Sequence, residues 1–274
     1  MKTIVITGAT SGLGNLLVKE YANMGCLIFA GYRNEKFIKE LEQISQNVIP
    51  FYIDMSKKET VVNAAKFICE KTDKIDVLIN AAGFVVAGAM ECLNTDKIKE
   101  QFEVNTFSHL EFTQGLFSKL QGARVINISS MASFGIFPFI APYCASKRAL
   151  DILFNSMQIE CGHDIKVISI KPGVIKTPLW DKSIKNNQED LGGNQKYQRE
   201  FEFLAKNAQK NNKKGLEAQK VAEIIVKISE CKNPKASYTI GKDAFFAQLL
   251  SHLPQNWMNF LVKKGFEARL KKQP

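Results

Sequence analysis

The sequence predicts a single-domain, doubly wound α/β fold, and three observations carry that expectation. Short aliphatic, β-branched runs alternate with stretches of helical period along the first two thirds of the chain. The runs are continuously apolar rather than alternating, which marks parallel strands covered on both faces. A glycine-rich turn joins the first run to the first helical stretch, as in a repeated βα unit with right-handed crossovers. With 274 residues, 45% of them apolar, the chain can bury a sizeable core without disulfides or metals.

Taken in order, the spacing predicts strands over residues 3–7, 27–31, 48–53, 76–80, 124–128 and 165–170. Helices are expected over 13–24, 34–44, 57–71, 96–120 and 143–160. The rhythm breaks after Pro178. Residues 178–215 are polar, rich in Lys, Asn and Gln, with Gly192-Gly193 among them, and read as a substrate loop. Helical spacing returns over 218–229, and 238–240 suits a last strand. The segment 244–270 places Phe246, Leu249, Leu250, Leu253, Trp257, Phe260 and Leu261 in an amphipathic helical stripe interrupted at Pro254, expected to form a C-terminal helical lid. No linker or internal repeat divides the chain, so 1–274 reads as one Rossmann-type domain.

Several classes are disfavoured. Cys26, Cys69, Cys92, Cys144, Cys161 and Cys231 form no CxxC pair or zinc spacing, so reduced thiols in a cytoplasmic protein are expected. The apolar run after Lys2 is too short for a signal peptide, and no stretch approaches the ~20 apolar residues of a membrane span. His109, His163 and His252 fit no triad or metal pattern and read as surface or packing residues. Residues 1–175 carry 18 basic and 17 acidic side chains, whereas 176–274 carry 19 and 10. That basic excess would suit an anionic membrane surface, an acidic partner or a merely solvated surface. Nucleic acid is not an expected partner, because no recognition module or aromatic stacking pattern accompanies the charge.

The turn after the first strand reads Thr7-Gly8-Ala9-Thr10-Ser11-Gly12-Leu13-Gly14. Glycines at 8, 12 and 14 would give a tight turn, close backbone approach to a phosphate, and close helix–strand packing. The backbone N–H groups at the helix start would then face the nucleotide. At the end of the second strand Tyr32 stands where an acid would accept the ribose hydroxyls of NAD. Arg33 follows, suited to the 2′-phosphate of NADP, so NADP(H) is expected over NAD(H). Glu35 is expected to begin the next helix.

Tyr143-Cys144-Ala145-Ser146-Lys147 puts a phenol and an ammonium on one helix face at i and i+4. The ammonium, with a cationic nicotinamide nearby, would lower the tyrosine pKa from its ordinary value of about 10. Tyr143 would then act as general acid or base on a carbonyl or alcohol oxygen. Alone, YxxxK is common on helix surfaces. With Ser130 upstream, after a predicted strand and following the glycine turn, it carries chemistry.

With those residues in place, the chain resembles the short-chain dehydrogenase/reductase family, from the TGxxxGxG turn to about Thr177. The resemblance implies that Gly8, Thr10, Ser11, Gly12, Leu13 and Gly14 hold the cofactor, and that Asp54, with Met55, meets its adenine. Asn80-Ala81-Ala82-Gly83 is similar to the family's NNAG stretch and departs from it at Ala81. Lys147 would hold the nicotinamide ribose and tune Tyr143, and Ser130, preferred over Ser129 and Ser133, would bind the substrate oxygen. Asn105 would hold a relay water. Pro172, Gly173, Val174 and Thr177 would lie over the nicotinamide. The implied activity is hydride transfer between NADP(H) and a carbonyl or a primary or secondary alcohol.

Phe134, Phe137, Phe139, Ile140, Leu179 and Trp180 would line an apolar pocket, favouring a steroid, retinoid, fatty or aromatic substrate. The same side chains would equally suit internal packing. The C-terminal stretch would cover that pocket, touch a membrane surface or join subunits. The family's helices near 96–120 and 143–160 imply a homodimer or homotetramer. A non-catalytic NADP-binding sensor or scaffold is the alternative, and the intact Asn105, Ser130, Tyr143 and Lys147 set argues against it.

Overall fold

The computed structural model describes residues 1–162, 165–177 and 195–271. Seven strands form one parallel sheet: β1 Thr3–Ile6, β2 Leu27–Tyr32, β3 Val48–Tyr52, β4 Val77–Asn80, β5 Ala123–Ile128, β6 Ile165–Pro172 and β7 Ser237–Ile240. Their spatial order is β3-β2-β1-β4-β5-β6-β7. The winding reverses between β1 and β4, and the carboxyl ends of those two strands open the crevice where doubly wound sheets bind ligands.

The central strands are buried on both faces, as their unbroken Val and Ile runs require. On one face, α1 (Gly12–Asn23) and α8 (Ala218–Glu230) pack Leu17, Val18, Val221 and Ile225 against Ile4, Ile6 and Ile79. Tyr21 is carried there too, and its buried hydroxyl is 2.7 Å from Ser229 Oγ. On the other face, α3 (Lys58–Lys71), α5 (Ser108–Gly115) and α6 (Ala141–Glu160) bring Ile68, Phe112, Leu150 and Phe154 onto Val5, Leu78 and Val125. Each such side chain, fully buried, contributes roughly 1.5–3 kcal/mol. Beyond β2 a short helical turn, Glu35–Phe37, leads into α2 (Ile38–Glu42), so Glu35 does open the next helix; Asn34 caps it by accepting from Lys36 N.

Two expected elements differ. The long helix over 96–120 is α4 (Thr95–Phe102), a π turn (Glu103–Phe107) and α5, ending in a 3₁₀ turn at Phe117–Lys119. The wide turn is held by Asn105, whose side chain reaches out of the helix to Phe84 and Ser146. Part of the expected substrate loop is helical: α7 spans Gln198–Lys214 and buries Phe201 and Phe203. Residues 178–194 of it, with Leu179 and Trp180, lie outside the described residues, as does His163. The C-terminal stripe is α9 (Lys242–Leu250) and α10 (Gln255–Lys271), broken at Pro254 as expected.

One contact fixes α1 to the sheet. A Cβ built on Gly14 would stand 2.2 Å from the Gly8 carbonyl oxygen, so only glycine lets the helix sit on the turn. Gly14→Ala is therefore expected to lower unfolding stability by about 2 kcal/mol or more. Urea denaturation checks this, and an unchanged midpoint would refute the packing argument.

Candidate active site

The site gathers at the carboxyl edge of the sheet. After β1 the chain turns through Gly8, with φ +67°, and Gly12, with φ +56°. A Cβ on Gly8 would meet the Ala82 backbone at 3.0 Å, so the turn after β1 and the loop after β4 approach as closely as two backbones can. Thr7 Oγ1 holds them together by accepting from Ala81 N at 3.0 Å and Ala82 N at 3.2 Å. Ser11 precedes α1 in extended conformation and makes no capping bond. The first N–H groups of α1, at the positive end of the helix, thus have no side-chain cap from Ser11. Thr10 is partly exposed beside them.

At the end of β2, the Tyr32 ring meets the Tyr52 ring at 5.8 Å in a tilted arrangement, and Arg33 is exposed. After β3, Asp54 is buried and makes a tight turn, its Oδ1 accepting from Ser56 N and Oγ at 3.1 and 2.8 Å. Met55 is buried, and its carbonyl accepts from Ser108 Oγ at 2.7 Å. The Asn80 side chain does not point into the crevice. It donates to Asn127 Oδ1 at 2.8 Å inside the sheet, so its role is to fix β4 against β5.

Ser130, Asn105, Tyr143 and Lys147 meet between β5, the π turn and α6. Ser130 follows β5, and Pro142 starts α6, where its missing N–H costs nothing. The Tyr143 phenol is buried and hydrogen-bonded to Ser130. Ser129 and Ser133 are buried without hydroxyl partners among the described residues, so the structure brings Ser130, not its neighbours, to the tyrosine. Lys147 is also buried, and its Nζ donates to Ile128 O at 2.9 Å. Gly83 lies against both Asn105 Oδ1 and Lys147 Nζ. Asn105 accepts from Phe84 N at 3.0 Å and donates to Phe84 O at 2.9 Å and Ser146 Oγ at 3.1 Å. Its side chain thus clips the β4 loop to α6.

In the protein alone, burial pushes the Tyr143 phenol up to about 12, with the Ser130 hydrogen bond pulling the other way. Burial holds Lys147 down to about 8, opposed by Asp151 one turn along α6. Asp151 is itself buried and paired at 3.0 Å with Lys171 of β6, whose ammonium sits 4.7 Å over the Phe134 ring. The Cys144 thiol is raised to about 11 by burial, an inert neighbour.

Sequence reasoning missed two anchors. His109 lies four residues after Asn105, and its Nε2 donates to Ala82 O at 2.9 Å. Burial pushes its pKa down to about 3, so the ring stays neutral. Asp243, at the start of α9, accepts from Val174 N at 2.9 Å and Ala244 N at 3.0 Å. A Cβ on Gly173 would fall 1.9 Å from the Asp243 carboxylate, so the Pro172-Gly173-Val174 turn and α9 interlock. The Val174 N–H is thereby held by Asp243.

Among the expected pocket residues, Phe137 and Ile140 pack with Val85, Ala132 and Cys144 around Tyr143. Phe139 does not line that wall. It adopts φ +67°, strained for a phenylalanine, and is held at ring distances of 5.5–5.8 Å by Tyr197, Phe201 and Phe266 from the segments before and within α7 and from α10. A cleft of about 360 Å³ opens behind this cluster, lined in part by Ile136, Pro138, Val262, Phe266 and Leu270.

Residues 2–188 match the family model described as short chain dehydrogenase. The chain belongs to the short-chain dehydrogenase family. It is 28% identical to an NADPH-dependent 3-dehydrocapnine reductase of Ornithobacterium rhinotracheale, over 97% of this chain and 98% of that one. It is 29% identical, with the same coverages of 97% and 98%, to a 3-ketodihydrosphingosine reductase of Bacteroides thetaiotaomicron. A solved short-chain dehydrogenase from Streptomyces avermitilis superposes with a TM-score of 0.76 at 20% identity, covering 98% of this chain and 97% of that one, and shares the fold. The match places the chain in an oxidoreductase family that uses a nicotinamide cofactor and small-molecule substrates.

The interlock at Gly173 yields a test. Asp243→Ala frees the Val174 N–H and unpins the turn after β6, so the KM for the nicotinamide cofactor is expected to rise severalfold while the thermal midpoint falls by a few degrees. Steady-state kinetics and calorimetry check both, and unchanged values would show the contact to be idle.

Proposed function

We propose that this protein is an NADP(H)-dependent reductase of lipophilic carbonyl compounds in which Tyr143 Oη delivers the proton. The observation that carries the reading is the buried phenol hydrogen-bonded to Ser130, with a buried ammonium one helical turn away. A carbonyl oxygen between the Ser130 and Tyr143 hydroxyls would accept from both. As negative charge grows on that oxygen, Tyr143 Oη gives up its proton, and the Lys147 ammonium stabilises the phenolate left behind. A tyrosine kept protonated by burial is suited to this direction, because the acid must hold its proton until the substrate takes it.

The residues present fit a dinucleotide. The open N-terminus of α1 suits the pyrophosphate, and exposed Arg33 beside a non-acidic Tyr32 suits a 2′-phosphate. Lys147, with Gly83 beside its Nζ, would hold the nicotinamide ribose, and Thr177 would meet the carboxamide as the family resemblance implies. When bound there, the reduced nicotinamide supplies the hydride. Two relatives named as reductases of 3-dehydro or 3-keto compounds, one of them named as NADPH-dependent, support both cofactor and direction. The apolar wall of Phe137, Ile140 and Val85 beside Tyr143 supports a lipophilic substrate. Exposed Phe107, Ile152 and Ile159, at the end of the π turn and along α6, support assembly through these helices as a homodimer or homotetramer.

The test follows NADPH absorbance with lipophilic and polar ketones. Turnover of the lipophilic members is expected, falling at least about 100-fold in Tyr143→Phe. NADPH binding to that variant should be nearly unchanged. Arg33→Ala should weaken NADPH and leave NADH little affected. NADPH binding without turnover of any ketone would refute the catalytic reading and favour a sensor.

A further inference from the structure

The C-terminal helices are apolar on two sides. Their inner sides are used. Ala244 of α9 is buried, and Met258 Sδ of α10 lies 3.7 Å from where a Gly135 Cβ would stand. Phe266 packs on Phe139 and Phe203 at 5.5 and 5.6 Å. Their outer sides are bare. On α9, Phe245, Phe246 and Leu249 are 59%, 62% and 67% exposed, and Leu253 continues the stripe just beyond the helix. On α10, Trp257, Phe260 and Leu261 are 64%, 56% and 40% exposed. With Lys242 as i, Phe245, Phe246 and Leu249 fall at i+3, i+4 and i+7 of α9, and Trp257, Phe260 and Leu261 at i, i+3 and i+4 of α10, so each group shares one side of its helix. Seven exposed large apolar side chains on two consecutive helices call for an occupant.

Charge selects it. Lys242 opens the α9 stripe. Lys264 and Lys271 fall on the α10 stripe after Phe260, with Lys263 and Arg269 nearby. The acidic groups within these two helices are Asp243, engaged at Val174, and Glu267. A second copy would set like charges against each other. A layer of acidic headgroups would neutralise them while the boundary beneath it takes the Phe, Leu and Trp side chains. No helix among the described residues is long and apolar enough to cross a membrane, so the contact is one of lying on the surface.

We infer that the outer face of α9 and α10 docks on an anionic lipid bilayer. Val262, Phe266 and Leu270, on the inner side of α10, line the apolar cleft, so the docked helix is also a wall of that cleft. The docking itself needs no particular chemistry at Tyr143, and it is read independently of turnover.

The test uses the full chain with Trp180→Phe, which leaves Trp257 as the only tryptophan. Vesicles of phosphatidylcholine are compared with vesicles in which a third of the lipid is phosphatidylglycerol. Co-sedimentation with the anionic vesicles, weakened by salt, and a blue shift of Trp257 emission are expected. Phe245→Ser/Phe246→Ser and Lys264→Glu/Lys271→Glu should each weaken partition at least about tenfold, with the circular dichroism melt unchanged. Absence of binding to anionic vesicles, or equal binding to both compositions, would overturn the inference. So would an oligomer in ultracentrifugation that Phe245→Ser/Phe246→Ser dissociates, because the face would then belong to a second copy.

Discussion

A buried ammonium organises the site. Lys147 is taken out of water between β5 and α6, an expensive transfer that demands compensation. The Ile128 carbonyl supplies a hydrogen bond at 2.9 Å, and Asp151 supplies the opposing charge. Asp151 is held in turn by Lys171 of β6. This chain of groups fixes the rotation and height of α6 against the ends of two strands. Tyr143, on the same helix, is thereby set against Ser130, which follows β5 directly. The distances that matter to chemistry are inherited from charges that must be paired.

The rest of the crevice is built to the same tolerance by backbone contact. The Gly8 turn and the Ala82 loop touch, and Thr7, His109 and Asn105 each bind the β4 loop from a different side. From the far end of the sheet, Asp243 does the same for the turn after β6. These anchors are neutral side chains and one carboxylate spent on backbone N–H groups. They hold loops still without adding a charge that competes with Lys147.

Much of this was legible in the sequence because it is local. Unbroken Val and Ile runs marked the strands within a residue or two, and the helix bearing Tyr143 and Lys147 was visible in its i, i+4 spacing. What was illegible depends on contacts between distant residues. The π turn exists because Asn105 reaches Phe84 and Ser146, 21 and 41 positions away, and no helical period announces that. The polar composition of 198–214 concealed a helix held by two buried phenylalanines and the rings around Phe139. Asp243 acts on Val174 across 69 positions. The ammonium one turn from Tyr143 is written in the sequence, whereas the burial that raises the phenol's pKa is a property of the fold.

The central claim is that packing holds Tyr143 as a neutral phenol in the free protein. Ultraviolet difference titration of the wild type against Tyr143→Phe, read at the tyrosinate band, tests it directly. The account predicts no tyrosinate signal attributable to Tyr143 until the pH approaches about 12. Below that, proton loss is opposed by desolvation of the phenolate. Titration at or below the ordinary tyrosine value of about 10 would contradict it. The ammonium would then outweigh burial, and the site would be poised as a base rather than an acid.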